Sequence, residues 1–361
     1  EIRYWRFEIA QIMPPVRAKT NAAAHSQRTS YLKKKVEYLH FKNIDRAGEV
    51  ALYYGFTPLS APLAVTKEDR ELARSFSEMD LRENAQENAL FPFIEQKVAL
   101  LRVCRERGVA DGPLPVLRYS EGAPAAASFR KGCLRARRLA LDIIGSGKSV
   151  AEALLIQTAW TMLKEEKAGE PVLAINSVGD KDSLLKFTRE LGAYYRKNIH
   201  LLPATCRAAL RRDPLLVLSC AHEKCKPLNE GAPKAMEFLS EASRIHFKEV
   251  LEYLEALDIS YRIDHCLNAG KSFAGETVFE MQVSPLTAHL PSRGAQPWGL
   301  HAGEAKEDGG GEPVSAERTG RRVCFGFRYN SAARRVGFHK DMPAIGATIL
   351  LSRSAKERTN E

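Results

Sequence analysis

Apolar runs of five to eleven residues are spread along this chain in a pattern that few architectures can absorb. Residues 139–144, 172–176, 278–283, 323–329 and 343–353 are rich in β-branched, aromatic and aliphatic side chains, as buried strands are. Runs at 56–63, 115–119 and 259–264 also read as strands, the first carrying Pro58 and Pro62. Helices are read over 30–54, 150–166, 182–195 and 235–257, over the highly charged 66–83, and over 93–107, which reads as an amphipathic helix or a strand-to-helix junction. Strands gathered toward both ends of the chain around a helical middle predict an α+β domain with a largely antiparallel sheet flanked by helices.

Residues 1–29 read as a loosely ordered N-terminal arm containing Pro14-Pro15, and residues 30–361 as the core. Residues 200–233 look like a small insertion. Residues 284–322, with Pro285, Pro291, Pro297, Gly309-Gly-Gly311 and Pro313, are expected to form a disordered linker or a long hairpin excursion. No run reaches the roughly 18–20 apolar residues of a membrane helix. Glu8, Arg17 and Lys19 interrupt any apolar signal core, so a cytoplasmic protein is expected, with no membrane partner. Seven scattered cysteines do not outline a disulfide framework.

The net charge of +10 is partly local. Arg130, Lys131, Arg135, Arg137 and Arg138 fall within nine residues with no acid among them. Such a run suits nucleic acid or nucleotide phosphates, or a solvated face. Gly145-Ser-Gly-Lys-Ser149 resembles the end of a P-loop, but Asp142 holds the upstream glycine position. A turn followed by a helix is expected there, with Ser149 as N-cap and Glu152 completing a capping box. Cys206, Cys220, His222 and Cys225 could supply a zinc site, although only the last three are close in sequence. Buried thiols are the alternative. His265-Cys266 is expected to serve packing rather than nucleophilic chemistry.

Taken in order, the segments from about Ser30 to Arg353 resemble histidyl-tRNA synthetases, which are class II aminoacyl-tRNA synthetases. Tyr53-Tyr-Gly-Phe-Thr-Pro-Leu-Ser-Ala-Pro62 is similar to the first class II motif, with Pro62 as its proline. Ile143-Ile-Gly-Ser146 and the helix after it are similar to the stretch following motif two. Ile175-Asn-Ser-Val-Gly-Asp180, Asp213-Pro-Leu215, Glu276-Thr-Val-Phe-Glu280, Gly326-Phe-Arg-Tyr-Asn330 and Pro343-Ala-Ile-Gly346 follow in the family's order, the last opening motif three. The resemblance implies a class II synthetase-like antiparallel sheet, a homodimer formed through the first motif, and ATP-dependent activation of histidine before transfer to tRNA, with ATP and magnesium at the site if it is retained.

The resemblance assigns roles residue by residue. Glu95 aligns with the carboxylate that receives the amino group of histidine. Arg102 matches a family arginine, and Arg353 aligns with the motif-three arginine on ATP. Other positions depart from the pattern. The motif-two arginine falls near Ala126 and the motif-two glutamine at Arg138. The histidine-specific arginine falls at about Ala269, and the paired tyrosines at Phe273 and Ala274. A motif-three glycine and glutamate become Leu350 and Ser352. Losing a cation from a phosphate-transfer site commonly costs about 100- to 1000-fold in rate. Arg130, Lys131 or Lys271 could compensate. With eight residues after Arg353, no anticodon-binding domain is expected. The losses favour a degenerate or regulatory paralogue with a regulatory protein partner, resembling the regulatory subunit of ATP phosphoribosyltransferase. The alternatives are an active aminoacyl-tRNA ligase with unusual motifs and a tRNA-binding protein.

Overall fold

The computed structural model describes residues 44–59, 63–76, 94–122, 136–220, 222–269, 275–283, 321–339 and 342–352. The chain divides into two compact units, residues 1–45 and 46–361, and every element below belongs to the second. The expected arm, most of the 284–322 linker, Ala126, Arg130, Lys131, Lys271, Phe273, Ala274 and Arg353 lie outside the described residues.

Eight strands form one mixed sheet: β1 (Thr57–Pro58), β2 (Val116–Gly122), β3 (Ala136–Ile144), β4 (Pro171–Gly179), β5 (Tyr261–Ile263), β6 (Gly275–Val283), β7 (Arg321–Arg328) and β8 (Ala344–Ser352). Their order is β1-β2-β3-β8-β7-β6-β4-β5. The five inner pairings, from β2–β3 to β6–β4, are antiparallel, and the outermost two, β1–β2 and β4–β5, are parallel. The α+β expectation with a largely antiparallel sheet holds.

Alternation along each strand sends side chains to two different cores. Leu139, Leu141 and Ile143 of β3 and Ile345, Ala347 and Ile349 of β8 face one side. There they meet α1 (Arg46–Tyr53), α4 (Val150–Glu165) and α9 (Glu241–Ala256). Ile144, Ala174, Val278, Phe325 and Phe327 belong to the second core. That core is completed by α3 (Ile94–Glu106), α5 (Lys181–Lys197), α10 (Asn330–Val336) and the short helices α6 (Ala204–Arg212), α7 (Pro214–Leu218) and α8 (Lys226–Glu230) of the insertion. The helix α2 (Lys67–Phe76) lies beside α3.

Three expectations are corrected. The helix expected over 235–257 is broken: a 3-10 turn, Ala235–Phe238, precedes α9. Ser240 breaks it by capping α9, its Oγ accepting the Ser243 amide at 3.2 Å while donating to Asp180 at 2.6 Å. Asp180 in turn caps α5 by accepting the Ser183 amide at 2.8 Å, so two helix starts are locked together. The capping box at Ser149 does not form: Ser149 is already helical, makes no side-chain cap bond, and its hydroxyl donates to Glu249 at 2.5 Å. The strand expected over 56–63 is confined to Thr57–Pro58 among the described residues.

Candidate functional site

The face of the sheet opposite α4 and α9 carries the polar groups. Cross-strand register aligns Ala140, Thr348, Phe325, Glu280 and Ala174 in one row across five strands. The neighbouring row is Asp142, Gly346, Phe327, Val278 and Asn176. On the other flank, Arg138 pairs with Leu350, and Arg322 with Gln282.

Charge on this platform is concentrated and buried. Glu280 is 3% exposed, with its carboxylate 2.5 Å from the Arg322 guanidinium, and it accepts a bond from Gln282 at 2.6 Å. Arg322 also lies 5.4 Å from the centroid of the Phe325 ring. Arg138 is 3% exposed, and burial lowers its guanidinium to about 10, which is large for a group that normally never deprotonates. In the adjacent row, Asp142 takes bonds from Lys97 at 2.5 Å and from the Tyr329 hydroxyl at 2.7 Å. Burial nevertheless holds the Asp142 carboxyl above its ordinary value, with the Lys97 charge opposing it.

Gly346 lets this cluster close. A methyl group there would stand 2.1 Å from Asp142 Oδ1, 2.6 Å from Lys97 Nζ and 2.9 Å from the Leu141 carbonyl. The motif-like glycine is therefore demanded by the ion pair behind it.

On the opposite face, Glu152 is fully buried and accepts from Arg328 Nε at 2.7 Å and meets His246 Nε2 at 2.7 Å. Burial pushes the Glu152 carboxyl up, but the charge of Arg328 and the bond to His246 outweigh it, leaving the carboxyl below its usual range. Burial is the largest single influence on His246 and lowers it, but the bond to Glu152 and the charges of Glu152 and Glu276 together prevail, so the imidazole stays protonated to higher pH than usual. Arg328 also donates to the carbonyls of Ser146 at 2.8 Å and Lys148 at 3.3 Å. The P-loop-like turn thus turns carbonyls toward a cation. An anion cradle would turn amides inward. A cavity of about 530 Å³ lies beside it, lined by Lys148, Ser149, His246 and Glu249, away from the polar platform.

Glu95 and Arg102 both sit on α3, seven residues or two turns apart, and both meet α2. Glu95 is 4.0 Å from Arg70. Arg102 holds Asp69 at 3.0 Å, Glu106 at 3.1 Å and the Ala64 carbonyl at 2.9 Å. Burial works to raise the Asp69 carboxyl, but the bonds from Arg102 and the Thr66 amide prevail and hold it below its ordinary value. Arg102 is an α2–α3 staple in this structure. The basic run does not present its described arginines as a solvated face: Arg137 is 9% exposed and bonded to Glu121 at 2.6 Å, and Arg138 points to the other face of β3. Ala269, where the resemblance places an arginine, is buried in the second core.

Cys206, Cys220 and Cys225 come together, their sulfurs all within 4.8 Å of one another. His222 is not part of that group; its Nδ1 accepts the Lys224 amide at 3.1 Å. His265 and Cys266 lie in a turn after β5, Cys266 packed against the second core.

The comparisons with known proteins agree on one family. A histidine–tRNA ligase from Halothermothrix orenii is 28% identical over 239 residues, covering 66% of this chain and 48% of its own length. One from Rippkaea orientalis is 30% identical over 216 residues, covering 60% and 43% respectively. This chain is a relative of the histidine–tRNA ligases. The apo histidyl-tRNA synthetase of S. aureus shares its fold, with a TM-score of 0.55 at 19% identity, covering 94% of this chain and 71% of that one. The architecture is therefore that of a class II synthetase-like α+β core. The chain spans less than half the length of these curated histidine–tRNA ligase relatives. No family model matches it. Among the described residues, no helix is long and apolar enough to cross a membrane.

The ligase relationship implies ATP and magnesium, and the carboxylates of the described platform do not fit magnesium. Magnesium takes hard oxygen ligands in octahedral geometry. The carboxylates in the rows described are Glu280 and Asp142, each already bonded to a cation.

The sequence missed Lys97, Asp142, Glu152, His246, Glu280, Arg322, Arg328 and Tyr329 as members of buried polar clusters. A signal existed for two of them. Lys97 shares a helix face with Ile94, Leu101 and Cys104, and Asp142 interrupts an otherwise apolar strand.

Proposed function

We propose that this chain is a histidyl-tRNA-synthetase-like module that has given up adenylate formation and serves as a ligand-sensing or regulatory paralogue. The observation that carries the reading is the Arg138–Leu350 pair on β3 and β8. The resemblance places a glutamine and a glycine at these positions. Here a buried guanidinium on β3 stands across from an aliphatic side chain on β8. The buried Ala269 adds to it, since an arginine selective for histidine would stand there in the family pattern.

Under this reading, Glu95 is the group that receives an amino acid's ammonium and Arg353 a remnant of the phosphate contact. Arg130, Lys131 and Lys271 can add positive charge, and the working unit is a homodimer with a protein partner in the cytoplasm. The test is ATP–pyrophosphate exchange on the purified chain, run beside equilibrium titration with histidine. Saturable histidine binding without histidine-dependent exchange is expected. Histidine-dependent exchange would establish an active ligase and refute the reading, and absence of both would remove the histidine-sensing part. A tRNA-binding role is less well supported, because Arg137 and Arg138 lie on opposite faces of β3 and are buried.

A further inference from the structure

The insertion holds a second chemical centre, remote in kind from the platform and independent of the proposed function. Cys206 lies on α6, Cys220 follows α7, and Cys225 caps the start of α8. The Cys206 and Cys220 sulfurs are 3.4 Å apart, as are those of Cys206 and Cys225, and the third separation is within 4.8 Å. Thiolates bound tetrahedrally to zinc at about 2.3 Å stand about 3.8 Å from one another, inside the span seen here.

The backbone that presents these sulfurs is held firmly. Asn229 donates to the carbonyls of Val217 at 3.0 Å and Leu218 at 2.9 Å, while its own side-chain oxygen accepts from Tyr195 at 2.7 Å. Asp213 caps α7 through the Leu215 amide at 3.0 Å, and the Cys225 amide returns to the His222 carbonyl at 2.8 Å. Cys220 and Cys225 are separated by four residues, within the spacing usual for one arm of a structural zinc site. The helices they join have nine, five and five residues, far too short to persist without tertiary ties.

We propose that Cys206, Cys220 and Cys225 bind a soft divalent cation of the zinc class, as a structural staple across the three helices of the insertion. Each thiol releases its proton to solvent as it coordinates. The fourth position belongs to solvent, because among the described residues the atoms that gather within 4.8 Å of one another are the three sulfurs, without either nitrogen of His222. The alternative for closely packed thiols is a disulfide between two of them, which needs contraction to about 2.05 Å and an oxidant to take two electrons.

The test uses the full chain purified under a phosphine reductant and loaded with zinc, then with cobalt. One metal per chain is expected by elemental mass spectrometry, and a thiolate-to-cobalt charge-transfer band is expected in the near ultraviolet. Zinc should shield three of the seven thiols from a chromogenic disulfide reagent, and chelator should expose them again. Cys206→Ser and Cys225→Ser should each abolish the cobalt band, whereas His222→Ala should retain it. Zinc uptake that survives both serine substitutions would overturn the proposal. So would equal labelling of Cys206, Cys220 and Cys225 with and without zinc, located by peptide mass spectrometry, or a disulfide among the three in protein that takes up no metal. The thiol-protection measurement needs only the native chain, so a variant that fails to fold leaves the result decidable.

Discussion

Replacing Gly346 by alanine should be among the most damaging single-methyl changes in the molecule. The added carbon would lie 2.1 Å from Asp142 Oδ1 and 2.6 Å from Lys97 Nζ, with the Leu141 carbonyl fixed at 2.9 Å behind them. Asp142 is 4% and Lys97 2% exposed, so neither charge can retreat into water. Overpacking alone costs about 1–3 kcal/mol, and prising apart a buried ion pair adds to it, up to about 3–5 kcal/mol when the pair is broken. A loss of about 3–5 kcal/mol is therefore expected, a large share of the roughly 5–15 kcal/mol that stabilises an ordinary domain. Urea unfolding would read it as a fall in midpoint at unchanged slope. The cause is isolated by repeating the substitution in a Lys97→Met, Asp142→Ala background, where the space and the charges are gone. There Gly346→Ala should cost less by at least about 1.5 kcal/mol. Equal costs in the two backgrounds, or a cost under about 1 kcal/mol in the native one, would refute the role assigned to this glycine.

The buried triad on the opposite face predicts a pH profile. Glu152 is held below its ordinary value, so its contribution is present above about pH 4.3 and is lost as pH falls through the folded value. His246 is held above its ordinary value, so its contribution is complete below about pH 6.5 and is lost as pH rises through the folded value. Urea midpoints across pH should show both limbs, and His246→Gln should erase the alkaline one alone. Arg328→Met strands Glu152 without its guanidinium and should cost about 3–5 kcal/mol in the same assay. Arg102→Met should destabilise by about 1–3 kcal/mol by leaving the buried Asp69 short of its partner, and hydrogen exchange in α2 should accelerate.

Much of the scaffold could be read from residue order because alternation and helical spacing are local properties. Residues 278–283 and 323–329 read as neighbouring strands and pair as β6 and β7. Residues 150–166 read as a helix and form α4 within a residue of that span. Where reading failed, a partner distant in sequence had intervened. Ser240 ends one turn and begins α9 because Asp180 is there to receive its hydroxyl. Glu152 leaves the capping box it was suited to because Arg328, 176 residues away, claims both carboxylate oxygens. The site was less legible than the fold for the same reason. Glu95 and Arg102 have the spacing of one helix face, but only the structure shows that α2 supplies Arg70 and Asp69 opposite them. The cysteines illustrate the opposite case, a loose step in sequence that α6 and α7 close in space.

The two outer strands constrain how copies of the chain can meet. Strand β5 offers three residues, and the chain turns away after Asp264, whose amide still reaches the Ile175 carbonyl; β1 carries Pro58, which has no amide hydrogen to give. Both margins therefore make poor templates for an incoming backbone, so the sheet resists ribbon-like growth and runaway stacking into fibrils. Side chains on helices and loops offer a better route to a union between copies than these two described edges. Such a union can then be tuned or abolished by surface substitutions that leave the eight-stranded sheet untouched.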